Sequence, residues 1–171
     1  MPMRFADRTG RAIDVYQAAT QMTDESDQTY PFTIDTLLDG ALGATGWYGA
    51  FTANMHTDTA DSPGSDAIVA AAQARGVPVV TAGQLLDWVD GRNASSFGQL
   101  AFTGGVLTFT VAADTKARNI RALLPLAGPT GTLSALARGG TPVAFTIETI
   151  KGIAYATFPA ISGAYAATYG P

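Results

Sequence analysis

His56 is the only histidine in the chain, and it sits where chemistry is often found. The preceding run Gly46-Trp47-Tyr48-Gly49-Ala50-Phe51-Thr52-Ala53-Asn54-Met55 predicts a mostly buried strand, and His56 opens the loop after it. In parallel α/β folds, active sites gather at that carboxyl end. Asp58 follows two residues on, and Asp61 three further. A histidine so placed can act as a general acid or base, with Asp58 tuning it. The plainer alternative is a loop histidine satisfied by water. A site needing two or three imidazoles cannot be built from one copy of this chain. Cysteine is absent, which removes disulfides, thiolate metal sites and cysteine nucleophiles together.

Other residue patterns carry less. The run Thr23-Asp24-Glu25-Ser26-Asp27 is acidic enough to attract a cation, but lacks the glycine and spacing of a calcium loop, so a solvated loop is the simpler expectation. No Gly-x-Ser-x-Gly elbow and no phosphate-binding loop occurs. Trp47 and Trp88 are able to stack on a sugar ring, although both lie on apolar-patterned elements that also suit a core. Tyr155, Tyr165 and Tyr169 fall at alternate strand positions and would make either a glycan platform or ordinary sandwich aromatics.

The elements that would position these residues follow two grammars. Residues 1–93 alternate strands and helices: a strand over 12–18, a helix over 34–42 capped by Thr33, the strand ending at His56, and a helix over 66–75 capped by Ser65 and stopped by Gly76. Val77-Pro78-Val79-Val80 then predicts a compact strand. Thr81 and Gln84 fit a capping box for a helix lined by Leu85, Leu86, Trp88 and Val89 and ending at Gly91. Strand–helix alternation is the pattern of parallel α/β folds. Residues 94–171 instead show about seven short alternating strands between glycine turns, including Leu107, Phe109 and Val111 on one face after the hairpin signal Gly104-Gly105. That predicts an antiparallel β-sandwich of immunoglobulin-like type.

Charge divides the chain at the same place. Residues 1–93 hold twelve of the fourteen acids and five of the ten bases, a net −7, whereas residues 94–171 carry a net +3. The expected domains are therefore 1–93 and 94–171, joined near Gly91–Ser96. With 171 residues, 47% of them hydrophobic and 14% charged, the chain can bury a core and does not fit a disordered composition. A net charge of −4 argues against a general nucleic-acid binder. No run of eighteen apolar residues predicts a membrane span. The opening Met1-Pro2-Met3-Arg4-Phe5 lacks a signal-peptide pattern, so the expectation is a cytoplasmic chain or a piece of something longer.

The stretch from Trp47 through His56-Thr57-Asp58, the helix over 65–75, Gly76-Val77-Pro78-Val79-Val80-Thr81 and the helix starting at Gly83 resembles the last part of the polysaccharide deacetylase family of carbohydrate esterases. The segment Asp14–Glu25 is similar to an earlier strand and loop of that barrel, and the β-rich tail to the sandwich modules appended to large secreted members. The resemblance covers residues 4–93, and the tail more loosely. It implies that His56 is the general acid toward the leaving alcohol, and it matches Asp24 to an acid of the preceding motif. Trp47 and Asp24 are carried as substrate contacts. The family's zinc-like ion is held by an aspartate and a His-x3-5-His pair, which this chain lacks, so no cofactor is expected here and a divalent metal only in a longer parent.

About ninety residues cannot close a barrel of 200 or more. The expected fold is thus a partial (β/α)-barrel-like segment followed by the sandwich. The expected function is the C-terminal fragment of a secreted or cell-surface polysaccharide deacetylase-like hydrolase, inactive alone and acting on polysaccharide. A partial barrel exposes an apolar face, with Trp47, Phe51, Leu85 and Trp88 as candidates, so homodimerisation or packing on a missing N-terminal part is expected. The rival expectation is a non-catalytic cell-surface or carbohydrate-binding module.

Overall fold

The computed structural model describes residues 3–171 apart from 45, 47, 48 and 59. The molecule is sheet-rich α+β, and it divides into two compact units, Met1–Val80 and Thr81–Pro171. No helix among the described residues is long and apolar enough to cross a membrane.

The first unit opens with an antiparallel hairpin of β1 (Met3–Ala6) and β2 (Ala12–Gln17). Its turn is built by Asp7, whose Oδ1 accepts from the Thr9 hydroxyl at 2.7 Å and from the backbone N–H groups of Thr9 and Arg11 at 2.8 and 3.0 Å. These donors hold the Asp7 carboxyl below the usual range. The predicted strand at 12–18 is thus a hairpin arm and not a member of a parallel barrel sheet. Then come β3 (Thr20–Thr23), α1 (Phe32–Leu42), β4 (Thr52–Asn54) and α2 (Pro63–Ala74). β3 and β4 pair in parallel, with Thr23 opposite Asn54, and α1 is the crossover between them. Met22 of β3 is buried against Ile34 and Leu38 of α1 and Ile68, Ala71 and Ala72 of α2. The two helices are also tied by Arg75, which reaches Asp35 at 2.7 Å and Asp39 at 3.0 Å.

Several predicted boundaries move, for local reasons. α1 begins at Phe32 without a side-chain cap, because the Pro31 carbonyl already accepts from the Asp35 N–H at 2.9 Å. α2 begins at Pro63 rather than after Ser65, using proline at its first turn, where a missing N–H costs nothing. Gly76 does end it: at φ +66° it donates to the Gln73 carbonyl while the Val77 N–H reaches Ala72. The long strand expected before His56 is regular only over Thr52–Asn54, and Trp47 lies outside the described residues. Val77–Val80 forms no strand. Pro78 offers no donor, and Val79 and Val80 are more than half exposed. Among the described residues the parallel pairing is that of β3 with β4.

The second unit starts with α3 (Ala82–Ala94). The predicted capping box is complete: Gln84 N–H donates to Thr81 Oγ1 at 3.2 Å, and Thr81 N–H to Gln84 Oε1 at 2.9 Å. The division of the chain precedes this helix instead of following it. The reason is visible in its anchors. Trp88 Nε1–H donates to the Arg118 carbonyl at 3.1 Å, Lys116 pairs with Asp87 at 3.2 Å, and a side chain at Gly91 would strike the Ala117 backbone. The composition change at residue 93 falls at the end of α3.

Nine strands follow: β5 (Ser96–Thr103), β6 (Val106–Ala112), β7 (Arg121–Pro125), β8 (Ala127–Gly128), β9 (Gly131–Arg138), β10 (Thr141–Pro142), β11 (Thr146–Ile150), β12 (Ile153–Pro159) and β13 (Gly163–Gly170). One sheet runs β10-β9-β13-β6-β5, with β8 also on β9, and the other runs β11-β12-β7. All of these pairings are antiparallel, which is compatible with a β-sandwich. Residues from both sheets join one core, in which Phe109 and Val111 meet Leu124, Ala156, Phe158, Tyr165, Ala167 and Tyr169. The Phe109 and Tyr165 rings stack with centroids 5.2 Å apart. Buried phenols need acceptors, and both find them: Tyr165 donates to the Ile161 carbonyl at 2.8 Å and Tyr169 to that of Pro125 at 3.0 Å. Phe158 is fully buried, so Phe158→Ala should cost about 3–5 kcal/mol, against about 1 kcal/mol for Tyr165→Phe. Denaturant unfolding of the full chain, followed by amide exchange in β12 and β13, should return that order.

Candidate functional site

Because β3 and β4 run in parallel, both end on the same side of their small sheet. Asp24 is the first residue beyond β3, and His56 lies two residues beyond β4. The two meet through both carboxylate oxygens. His56 N–H donates to Asp24 Oδ2 at 2.9 Å, and the imidazole Nδ1 lies 3.0 Å from Asp24 Oδ1. One side chain therefore fixes the loop backbone and the ring orientation together. Nε2, the other ring nitrogen, has Glu25 Oε1 at 3.7 Å.

The loop that carries Asp24 is held from behind. Ser26 Oγ donates to the Thr23 carbonyl at 3.1 Å, and Glu25 N–H to Thr23 Oγ1 at 3.2 Å. The Gln28 side-chain amide imitates a neighbouring strand: its Nε2 donates to the Gln21 carbonyl at 2.8 Å, and its Oε1 accepts from Thr23 N–H at 3.1 Å. The Tyr30 hydroxyl donates to the same Oε1 at 3.0 Å. On the inner edge, Gln21 Oε1 accepts from Thr52 N–H at 2.7 Å, where the β3–β4 register shifts. Two glutamines thus complete the hydrogen bonding that two short strands leave open. Neither stands out in the sequence, since glutamine at these positions follows no period.

Beside the dyad an open cleft of about 310 Å³ is lined by Asp24, Ser26, Tyr30, Met55, Asp61 and Gly64, among others. A β-carbon at Gly64 would come within 2.8 Å of Met55 Cε and 3.2 Å of the Tyr30 ring, so the start of α2 lies close against this floor and a side chain there would have to displace the Met55 terminus.

The residues expected to form a site are partly reunited. His56 and Asp24 are in contact. Asp24 has the histidine as its partner at both oxygens, which makes it the orienting group that Asp58 was expected to be. Asp58 is exposed and acts on His56 only through its charge. Trp88 is half-buried and anchored in α3, and Tyr165 and Tyr169 are core residues, which removes them from any glycan platform. Glu25 was noticed only as part of an acidic run, and its adjacency to Asp24 was the available signal.

Electrostatics follow the geometry. The hydrogen bond to Asp24 raises the His56 pKa above its ordinary 6.5, helped by the charges of Asp24, Glu25 and Asp58. The His56 backbone N–H lowers that of Asp24 below its ordinary 3.8. With Asp24 at Nδ1, the neutral ring keeps its proton on Nδ1, and the titrating proton belongs to Nε2. Comparison with protein-family models, with curated proteins and with solved structures finds no match, so this site is argued from the chain's own residues.

The signs fix the pH window. A raised histidine pKa stabilises the fold fully below 6.5 and less as pH rises through the folded value. A lowered aspartate pKa stabilises it above 3.8 and less as pH falls through the folded value. The pair is therefore complete between those limits. Because there is one histidine, an NMR titration reports it without ambiguity. The midpoint should lie above 6.5 in the native chain and fall toward 6.5 in Asp24→Asn. An unchanged midpoint would show that the carboxylate does not hold the ring.

Proposed function

We propose that the chain supplies the proton-donating part of a polysaccharide deacetylase-like hydrolase, acting outside the cell or at its surface. The observation that carries this is the Asp24–His56 pair at the shared carboxyl end of two parallel strands, with Asp24 on Nδ1 and Nε2 as the other ring nitrogen. A carboxylate on Nδ1 favours the imidazolium and fixes its orientation, which suits an acid. In hydrolysis of an N- or O-acetyl group, the bond from the acetyl carbon to the leaving nitrogen or oxygen breaks. The Nε2 proton then passes to that leaving atom, and the electron pair of the N–H bond stays on Nε2. Asp24 keeps its place at Nδ1 throughout.

The metal that the deacetylase resemblance brings with it does not fit these residues. Holding it takes two histidines and an aspartate, whereas the chain has one imidazole and Asp24 engages it. On this reading the groups that activate water belong to the rest of the parent protein. The second unit is assigned to an immunoglobulin-like module. Supporting this, β7-β12-β11 follows the B-E-D order of such domains and β9-β13-β6 the C-F-G order, with β6 standing in the G position. Tyr165 at the start of β13, bonded to a carbonyl four residues upstream, matches the tyrosine corner of that fold.

The test is acetate release from a panel of N- and O-acetylated polysaccharides by the product of the full reading frame. His56→Ala should lower kcat by about 10²–10⁴-fold. Asp24→Asn should lower it less and move the pH profile. A His56→Ala enzyme with undiminished kcat would end the proposal.

A further inference from the structure

The imidazole of His56 is approached by a carboxylate at each nitrogen. Asp24 Oδ1 stands 3.0 Å from Nδ1, and Glu25 Oε1 stands 3.7 Å from Nε2. The two acids are consecutive, so one turn after β3 straddles the ring. They are not equivalent. Asp24 makes two short hydrogen bonds, whereas the Glu25 contact is longer than a hydrogen bond and its side chain is 67% exposed. The Glu25 backbone is held by its N–H to Thr23 Oγ1, while its carboxylate is exposed and carried on the longer side chain.

We infer that Glu25 is a positioning residue that guards the Nε2 proton of His56, covering it while the ring is charged and leaving once the proton has gone. The physics is one of sign. A protonated ring presents N–H to the carboxylate, and the charges attract. A neutral ring with its proton on Nδ1 presents a lone pair, and the same carboxylate is repelled. A leaving group that takes the proton therefore displaces Glu25 on arrival and finds it repelled afterwards. The groups facing His56 are Asp24 and Glu25 from the turn after β3 and Asp58 from the loop after β4. Asp24 sets the ring's orientation, Asp58 adds charge, and among the described residues Glu25 is the carboxylate that meets the working nitrogen. The catalytic consequence rests on His56 being the proton donor, but the coupling between the two side chains does not.

The test uses the labelled full chain. The Glu25 Cδ signal and the single imidazole are followed by NMR from about pH 4 to 9, a span that brackets both carboxylate and imidazole titrations. In the native chain, Glu25 Cδ should show a second inflection at the His56 midpoint. Glu25→Gln should lower that midpoint by about 0.2–0.7 of a pH unit, the range for an exposed ion pair, with the neutral ring still protonated on Nδ1. Asp58→Asn should lower it less, and added salt should shrink the Glu25 contribution. In the full-length enzyme, Glu25→Gln should move the basic limb of the kcat profile by the same amount. The inference is overturned if Glu25 Cδ has no inflection at the His56 midpoint, or if Glu25→Gln leaves that midpoint within about 0.1 of a unit. Should Glu25→Gln fail to fold, the native Cδ inflection decides alone. A failed proton-donor role would show differently, as an active His56→Ala enzyme with the NMR coupling intact.

Discussion

Two parallel strands cannot be joined by a tight turn, because the chain must leave the end of one and return to the beginning of the next. In this molecule that constraint is met by α1 between β3 and β4, and the site depends on it. Parallel pairing brings the two carboxyl ends together, so residues 32 apart in the chain become neighbours. An antiparallel pair would have placed Asp24 and His56 at opposite ends. The strands are short, four and three residues, and their ladder is too small to be secure by itself. Burial of Met22 against both helices and the amides of Gln21 and Gln28 make up what the ladder lacks. The Asp24–His56 contact is partly exposed and contributes little to that stability. The strands hold the pair in place, and the pair does not hold the strands.

Part of this was legible in the sequence. His56 could be placed at a strand end, because an apolar run followed by a polar loop has few other meanings. Its partner could not. Asp58 is near in the chain, but closeness in sequence says little about which side chains meet beyond a strand end. Asp24 stood in an acidic run and, through the deacetylase resemblance, as a substrate contact, but no periodicity connects it to position 56. The valines of Val77–Val80 show the opposite failure. β-branched residues fit a pleated surface, yet a strand also needs a neighbouring backbone, and Pro78 weakens the offer further. Ser65 and Thr33 were reasonable caps, displaced because Pro63 and the Pro31 carbonyl start their helices earlier.

The second unit was easier to read, since antiparallel strands meet through local turns. Gly104-Gly105 and Lys151-Gly152 adopt positive φ at both positions, the conformation a two-residue hairpin requires. The alternation of Leu107, Phe109 and Val111 sorted one strand's faces correctly. Sheet membership was hidden, because β12 and β13 are consecutive yet belong to different sheets. So was the fate of the tyrosines. An amphipathic ring looks like a surface residue until a carbonyl is found for its hydroxyl, and Ile161 and Pro125 supply those carbonyls inside the core.

The direction of the electrostatic perturbation separates two roles that the sequence left joined. A general base must be neutral when substrate arrives, whereas a raised pKa holds the proton on the ring to higher pH. A general acid must arrive charged, and every carboxylate around His56 favours the charged form. The hydrogen bond at Nδ1 also leaves only Nε2 to exchange its proton, so transfer has one direction in space as well as one sign. A lone imidazole can do this much without a second histidine, whereas activating water as well would take a further group. The acidic surroundings of His56 are thus consistent with one half of a hydrolytic reaction, the departure of the leaving group.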